Sequence, residues 1–308
     1  MSLAFVFPGQ GSQSIGMLSD LATHHPLVNE TFTQASAVLG YDLWQVVQDG
    51  PLDKLNQTAT TQPAMLAAGV ATWRVWQSQS EQLPVVMAGH SLGEYSALVC
   101  AGVITFEDAI QLVAERGQLM QQAVPAGEGA MAAILGLADE AVIAVCEQAA
   151  DNEVVSAVNF NSPGQVVIAG HKNAVERATE LAKQAGAKRA LLLPVSVPSH
   201  CSLMVSAADQ LRLRMADMTF NAPTLPVINN VDVKIENDPQ AIRDALARQL
   251  YMPVRWVESV NAMAEQGVDR LVECGPGKVL AGLTKRINKT IAAQAVFDEV
   301  SLQKALAE

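Results

Sequence analysis

Residues 85 to 100 read VVMAGHSLGEYSALVC: an apolar run, a serine bracketed by two glycines, then a helix-like stretch. Gly89, Ser91 and Gly93 make the pattern G-x-S-x-G, which works as a device only where a buried strand turns sharply into a helix. In such an elbow the glycines relieve crowding around a strained residue and lift its hydroxyl clear of the backbone. A charge developing there meets the helix N-terminus, with the Leu92 amide aimed at an oxyanion. A chance match to so short a pattern is common. Here a strand precedes it and a helix ending at Gly102 follows it, so Ser91 reads as a nucleophile rather than a turn residue.

The rest of the chain supports the α/β reading. Apolar LAFVF (3–7), VVMA (85–88), LPVIN (225–229) and RLVEC (270–274) read as buried strands separated mostly by helical patterns, the signature of a largely parallel sheet. Two of them run into glycine loops, PGQGSQ and GPGK, where open α/β sheets bind ligands. The middle of the chain alternates differently. GAMAAILGL, a helix with Val142, Val145 and Ala149, VVSAVNF, QVVIAG, a helix with Val175, Ala178 and Leu181, and RALLLPV follow one another as β-α-β-β-α-β. The expected fold is therefore α/β, a hydrolase-like core with a mostly parallel sheet (1–126 and 197–308) carrying an inserted ferredoxin-like subdomain (127–196).

Half of the 308 residues are hydrophobic, enough for a large core in one domain or two. A net charge of −11 argues against nucleic acid as a partner. The N-terminus lacks the basic region of a signal peptide, and no apolar run approaches the ~18 residues of a membrane span, so the cytoplasm is expected. Cys100, Cys146, Cys201 and Cys274 form no C-x-x-C pair and read as reduced thiols. The histidines are scattered, so no metal site or cofactor is expected. A monomer is expected.

A nucleophilic serine needs a base. His24 and His25 lie in a polar stretch and read as exposed, His90 should diverge from Ser91, and His171 reads as a helix cap. His200, in VPSHC, remains, although an ordinary loop histidine fits that position about as well. Cys201 beside it is a poor rival, since neighbours in an extended segment point apart. On the helix FEDAIQLVAERGQLMQQA, Arg116 falls within the apolar stripe of Ala109, Leu112, Val113 and Met120. An inward guanidinium must meet an anion, such as a substrate carboxylate; the plainer alternative is an arginine snorkelling to the rim.

These motifs, with FPGQGSQ, TQPA, GHSLGEYSA, ERG, NFNSPGQVVIAG, PVSVPSHC, QLYMPVRW and GPGKVL, give the chain a resemblance along essentially its full length. It resembles the malonyl-CoA:acyl carrier protein transacylases of bacterial type II fatty acid synthesis. The resemblance implies transfer of malonyl from malonyl-CoA through a serine ester to the phosphopantetheine thiol of acyl carrier protein. It implies Ser91 as nucleophile, His200 as base, and Arg116 as the malonyl carboxylate's partner. It further implies Gln10 and Leu92 as the oxyanion hole and Gln249 as a neutral orienter of the histidine, with Asn159 and Asn161 lining or bracing the cleft. Tolerance for other acyl groups would depend on the pocket around Met120 and Ser199. An acidic carrier protein would need a local basic patch, for which Lys285, Arg286 and Lys289, with Lys278 nearby, are the candidates, although a solvated helix face is the simpler reading.

Two other functions compete. An esterase or thioesterase shares the elbow, but no acidic residue stands in a recognisable triad motif. A nucleotide-binding loop at GPGK would need GxxxxGK followed by Ser or Thr, and Val279 follows Lys278.

Overall fold

The computed structural model describes residues 2–195 and 197–307. Its strands are β1 (Leu3–Phe7), β2 (Val86–Gly89), β3 (Gly129–Leu135), β4 (Val155–Ser162), β5 (Gln165–His171), β6 (Arg189–Leu192), β7 (Val227–Ile228), β8 (Arg270–Cys274) and β9 (Ala292–Val296). Five of them form one sheet in the order β7-β2-β1-β8-β9, with every neighbouring pair parallel. β1 is central and buried along its whole length. Its side chains alternate between two cores, as pleating requires. Leu3, Phe5 and Phe7 pack toward the Thr58–Gln79 helix, where Phe5 meets Trp73 and Trp76 edge-on at 5.1 and 5.0 Å. Ala4 and Val6 face Trp256, Val260 and Met263 of the helix Trp256–Glu265.

The remaining strands form a second sheet, β4-β5-β3-β6, with every neighbouring pair antiparallel. That order is the one a split β-α-β unit produces. The helices Asp139–Ala149 and Lys172–Gln184 cover one face through Val142, Val145, Val175 and Ala178. On the other face Met131, Val158 and Val167 pack with Cys201. Main-chain bonds from Phe160 N to Val254 O (3.0 Å) and from Val254 N to Val158 O (2.8 Å) tie this sheet to the larger unit. The expected boundary at 196 falls on Ser196, outside the described residues.

The strand expected over 225–229 is only two residues long, because Asn229 leaves the sheet to bond Lys234 O through both its main-chain and side-chain nitrogens. β9 was not anticipated: alanine-rich AAQAV is an edge strand, built of residues with little intrinsic strand preference. Among the described residues, no helix is long and apolar enough to cross a membrane.

Candidate active site

Ser91 sits between the end of β2 and the helix Gly93–Cys100, with φ of 51°, in the left-handed region. The turn closes only because its flanks are glycine. A Cβ on Gly89 would lie 1.8 Å from the Gly93 carbonyl carbon, and one on Gly93 would lie 2.0 Å from Phe7 O. A strained non-glycine residue costs of order 1–3 kcal/mol and persists where its surroundings over-determine it. Asn230 supplies that constraint. Its Oδ1 accepts from the Ser91 main-chain N–H at 2.7 Å, and its Nδ2 donates to Gly89 O at 2.7 Å.

The structure brings His200 to this serine: Ser91 Oγ lies 2.8 Å from His200 Nε2. On the far side of the ring, His200 Nδ1 lies 2.6 Å from the main-chain carbonyl oxygen of Gln249. A carbonyl can only accept, so Nδ1 carries the proton and Nε2 is left to accept from the serine hydroxyl. His200 is itself left-handed, with φ of 67°, so both partners are held in unusual backbone. Burial, aided by the positive charge of Arg116, holds its pKa down to about 3. The imidazole is neutral at rest.

Arg116 is 1% exposed and does not snorkel to the rim. Its Nη1 donates to Gln62 Oε1 at 2.9 Å and its Nη2 to Gln249 Oε1 at 3.1 Å, both neutral amides. Its Nε has no partner, and the guanidinium lies 5.3 Å from the centre of the Tyr95 ring. Among the described residues it makes no ion pair.

Ser91, His200 and Arg116 open onto one cavity of about 710 Å³, also lined by Gln10, Leu92, Met120, Asn159 and Ser199. Neither the Gln10 nor the Leu92 main-chain N–H donates a hydrogen bond among the described residues, which leaves both free to receive an oxyanion. His90 diverges from the serine: its Nε2 lies 2.8 Å from Asn161 Oδ1. Of the remaining histidines, His24 is exposed as expected, but His25 is half-buried, with Nε2 2.7 Å from Glu299 Oε2; His171 does occupy the N-cap position of the helix Lys172–Gln184, although its side chain makes no capping bond and its Nδ1 accepts from Val154 N at 2.9 Å.

The basic patch does not lie on one helix face. The helix Val279–Ile287 ends before Lys289, and Arg286 Nη1 is engaged by Gln165 Oε1 of β5 at 2.9 Å. Lys285 instead lines a surface cavity of about 380 Å³ together with Lys278 and Lys304.

Three buried polar partners escaped the sequence reading: Gln62, Glu94 and Asn230. Each had a faint signal, a polar residue set in an apolar run, such as Gln62 within the buried face of Thr58–Gln79. No metal could be held by any cluster of three His, Cys, Asp or Glu side chains among the described residues.

A hydroxyl activated by a neutral histidine beneath a large cleft is equipped for acyl groups, and a parallel sheet ending in a serine elbow places it among the α/β acyl-transferring and acyl-hydrolysing enzymes. Comparison with known proteins narrows the class. The model of the family described as acyl transferase domain matches residues 4–302. Over 305 residues the chain is 63% identical to the malonyl CoA-acyl carrier protein transacylase of Salmonella typhimurium, covering 99% of each. It is similar to the crystal structure of an acyl carrier protein S-malonyltransferase from Vibrio cholerae, with 66% identity, 99% and 100% of the two chains covered and a TM-score of 0.97. It is also similar to a malonyl-transacylase solved in complex with its type II PKS acyl carrier protein, with 61% identity, 100% and 99% coverage and a TM-score of 0.99. The chain belongs to the acyl transferase domain family, among the malonyl CoA-acyl carrier protein transacylases, and is an acyltransferase.

Proposed function

We propose that this chain moves a malonyl group from malonyl-CoA to the phosphopantetheine thiol of acyl carrier protein by way of a malonyl ester on Ser91. The observation that carries the reading is the 2.8 Å approach of Ser91 Oγ to a neutral His200 whose other nitrogen is held by a carbonyl. His200 Nε2 takes the serine proton as Oγ attacks the thioester carbonyl. The tetrahedral oxyanion rests on the Gln10 and Leu92 amides. Collapse breaks the C–S bond, and the proton on His200 passes to the coenzyme A sulfur. The second half-reaction runs the same steps backward with the carrier protein's thiol as nucleophile. Arg116 meets the malonyl carboxylate, which supplies the anion that its buried guanidinium lacks.

The chain division that goes with this function is a core of about 1–126 and 197–308 with an inserted unit of 127–196, the cleft lying between them.

Intact-mass measurement tests the mechanism. Malonyl-CoA alone should give a singly malonylated protein and a burst of free coenzyme A, and added carrier protein should then clear the adduct. Ser91→Ala should form none. A stable adduct in that variant would place the nucleophile elsewhere, and rapid loss of the adduct to water would favour the thioesterase reading.

A further inference from the structure

Several hydrogen bonds beneath the elbow converge on a side chain with no part in the transfer reaction. Glu94, in the first turn of the helix Gly93–Cys100, is 2% exposed and points back under the serine. Its Oε2 accepts from Gln249 Nε2 at 2.7 Å and from the Asn230 main-chain N–H at 3.0 Å. Both donors hold part of the site. Asn230 clamps the elbow through its side chain. Gln249 donates its Nε2 also to Ser91 O at 3.1 Å and accepts from Arg116 Nη2 through its Oε1 at 3.1 Å.

A primary amide can occupy such a site in two orientations that exchange oxygen and nitrogen. In one, the Gln249 nitrogen faces two acceptors, Glu94 and Ser91 O, while its oxygen faces the guanidinium. In the other, an N–H would face the N–H of Arg116 and a carbonyl oxygen would face a carboxylate. Both contacts of the second arrangement are repulsive while Glu94 is ionised, because a carboxylate can only accept. A neutral amide in place of Glu94 could donate as well as accept, and the second arrangement would regain a bond.

We propose that Glu94 is a positioning residue: its carboxylate locks the Gln249 amide with the oxygen toward Arg116, and so fixes the guanidinium at the carboxylate-binding end of the cleft. The inference rests on the reading of Arg116 as the group that meets the malonyl carboxylate. It assigns the acid of the GHSLGE motif a part in substrate choice, two hydrogen bonds from the guanidinium and three from the substrate.

The test is kcat/KM for acyl-enzyme formation from malonyl-CoA and acetyl-CoA, in the wild type and in Glu94→Gln, Gln249→Met and Arg116→Ala. It is run above pH 7, since burial pushes the Glu94 carboxyl up to about 7 against the pull of its hydrogen bonds and of the Arg116 charge. Glu94→Gln should lower the malonyl-to-acetyl ratio about tenfold, the worth of one charge-assisted hydrogen bond. Gln249→Met, which removes the link on both sides, should lower the ratio at least as far, and it decides the matter if Glu94→Gln does not fold. An unchanged ratio in either folded variant overturns the inference, since a residue that merely supports the fold lowers both substrates alike. A ratio that falls in Arg116→Ala but not in these variants sinks this inference alone. A ratio unchanged in Arg116→Ala sinks the reading beneath it.

Discussion

Arg116 carries the sharpest test of the proposed substrate. A guanidinium offers five N–H donors, and here one each from Nη1 and Nη2 go to Gln62 and Gln249 while Nε has no partner. Both protein acceptors are neutral, and burial pulls the pKa of the group below its ordinary value, so the charge sits in the fold under-compensated. A malonyl carboxylate can take two of the free donors. Each charged hydrogen bond is worth about 1.5–3 kcal/mol, so a bidentate pair supplies about 3–6 kcal/mol. Even the lower figure corresponds to a loss of roughly a hundredfold in kcat/KM for Arg116→Ala with malonyl-CoA. Acetyl-CoA offers no carboxylate and leaves the wild-type charge buried and unpaired, a penalty the variant removes, so acetyl transfer should hold or rise. Arg116→Lys should recover only part of the malonyl rate, because an ammonium cannot make the planar two-point contact. Steady-state kcat/KM for both thioesters in the three proteins decides it: an equal fall for malonyl and acetyl in Arg116→Ala would mean that the arginine supports the fold, and the account of specificity given above would be wrong.

Two further expectations follow from the geometry. Lys285→Glu should slow transfer to an acidic carrier protein far more than it slows acyl-enzyme formation from coenzyme A, since Lys285 lines a lysine-rich surface cavity that shares no lining residue with the cleft at Ser91; equal losses in both half-reactions would remove that cavity from the docking surface. His200 should also leave a mark on stability. Its folded pKa is depressed to about 3 from 6.5, so the folded state resists a proton that the unfolded chain accepts. The resulting stability is complete above pH 6.5 and is lost as the pH falls toward 3, with a slope of up to about 1.4 kcal/mol per pH unit. Glu94, raised to about 7 from 4.5, acts in the opposite sense between those values, so the comparison must be between wild type and His200→Asn. As the pH falls from 6.5 toward 3, the stability of the wild type should drop relative to that of the variant by up to about 1.4 kcal/mol per pH unit in denaturant titrations, and identical slopes would contradict a neutral buried His200.

What the sequence discloses, and what it hides, divides along physical lines. The elbow was legible because its constraint is local: a strand, two glycines that admit no Cβ, and a helix. Arg116 was legible because a charge in an apolar helical stripe violates periodicity, and the helix does turn it inward. β9 was not, since an edge strand of alanines carries little intrinsic preference and is set by pairing with β8. The expectation that the basic patch lies on a single helix failed for a related reason. Spacing put Lys285, Arg286 and Lys289 together, yet the helix ends at Ile287 and Arg286 is claimed by β5, partners about which helical periodicity says nothing. Glu94 and Asn230 stayed hidden because each acts through bonds spanning more than a hundred residues.

Gln249 shows most clearly how atoms differ from residues. The resemblance implied an orienting residue, and it is the main-chain carbonyl that meets His200 Nδ1, while the side chain turns to Arg116, Ser91 O and Glu94. A Gln249→Asp substitution would therefore leave the orienting bond in place and instead put a carboxylate against Arg116. That consequence explains why a neutral orienter suits this site. The positive charge of Arg116 lies close enough to lower the His200 pKa, so a carboxylate beside the imidazole would be drawn to the guanidinium that the proposed function gives to the substrate carboxylate. A carbonyl fixes the tautomer without offering an anion. The cost is weaker support for an imidazolium, and exchange between thioesters tolerates it: a thiol has a pKa of about 8.5, so the leaving sulfur needs little help from an acid. Under the proposed function, one constraint, a cation reserved for the substrate carboxylate, would thus account for the neutral amides around Arg116 and for the carbonyl behind His200.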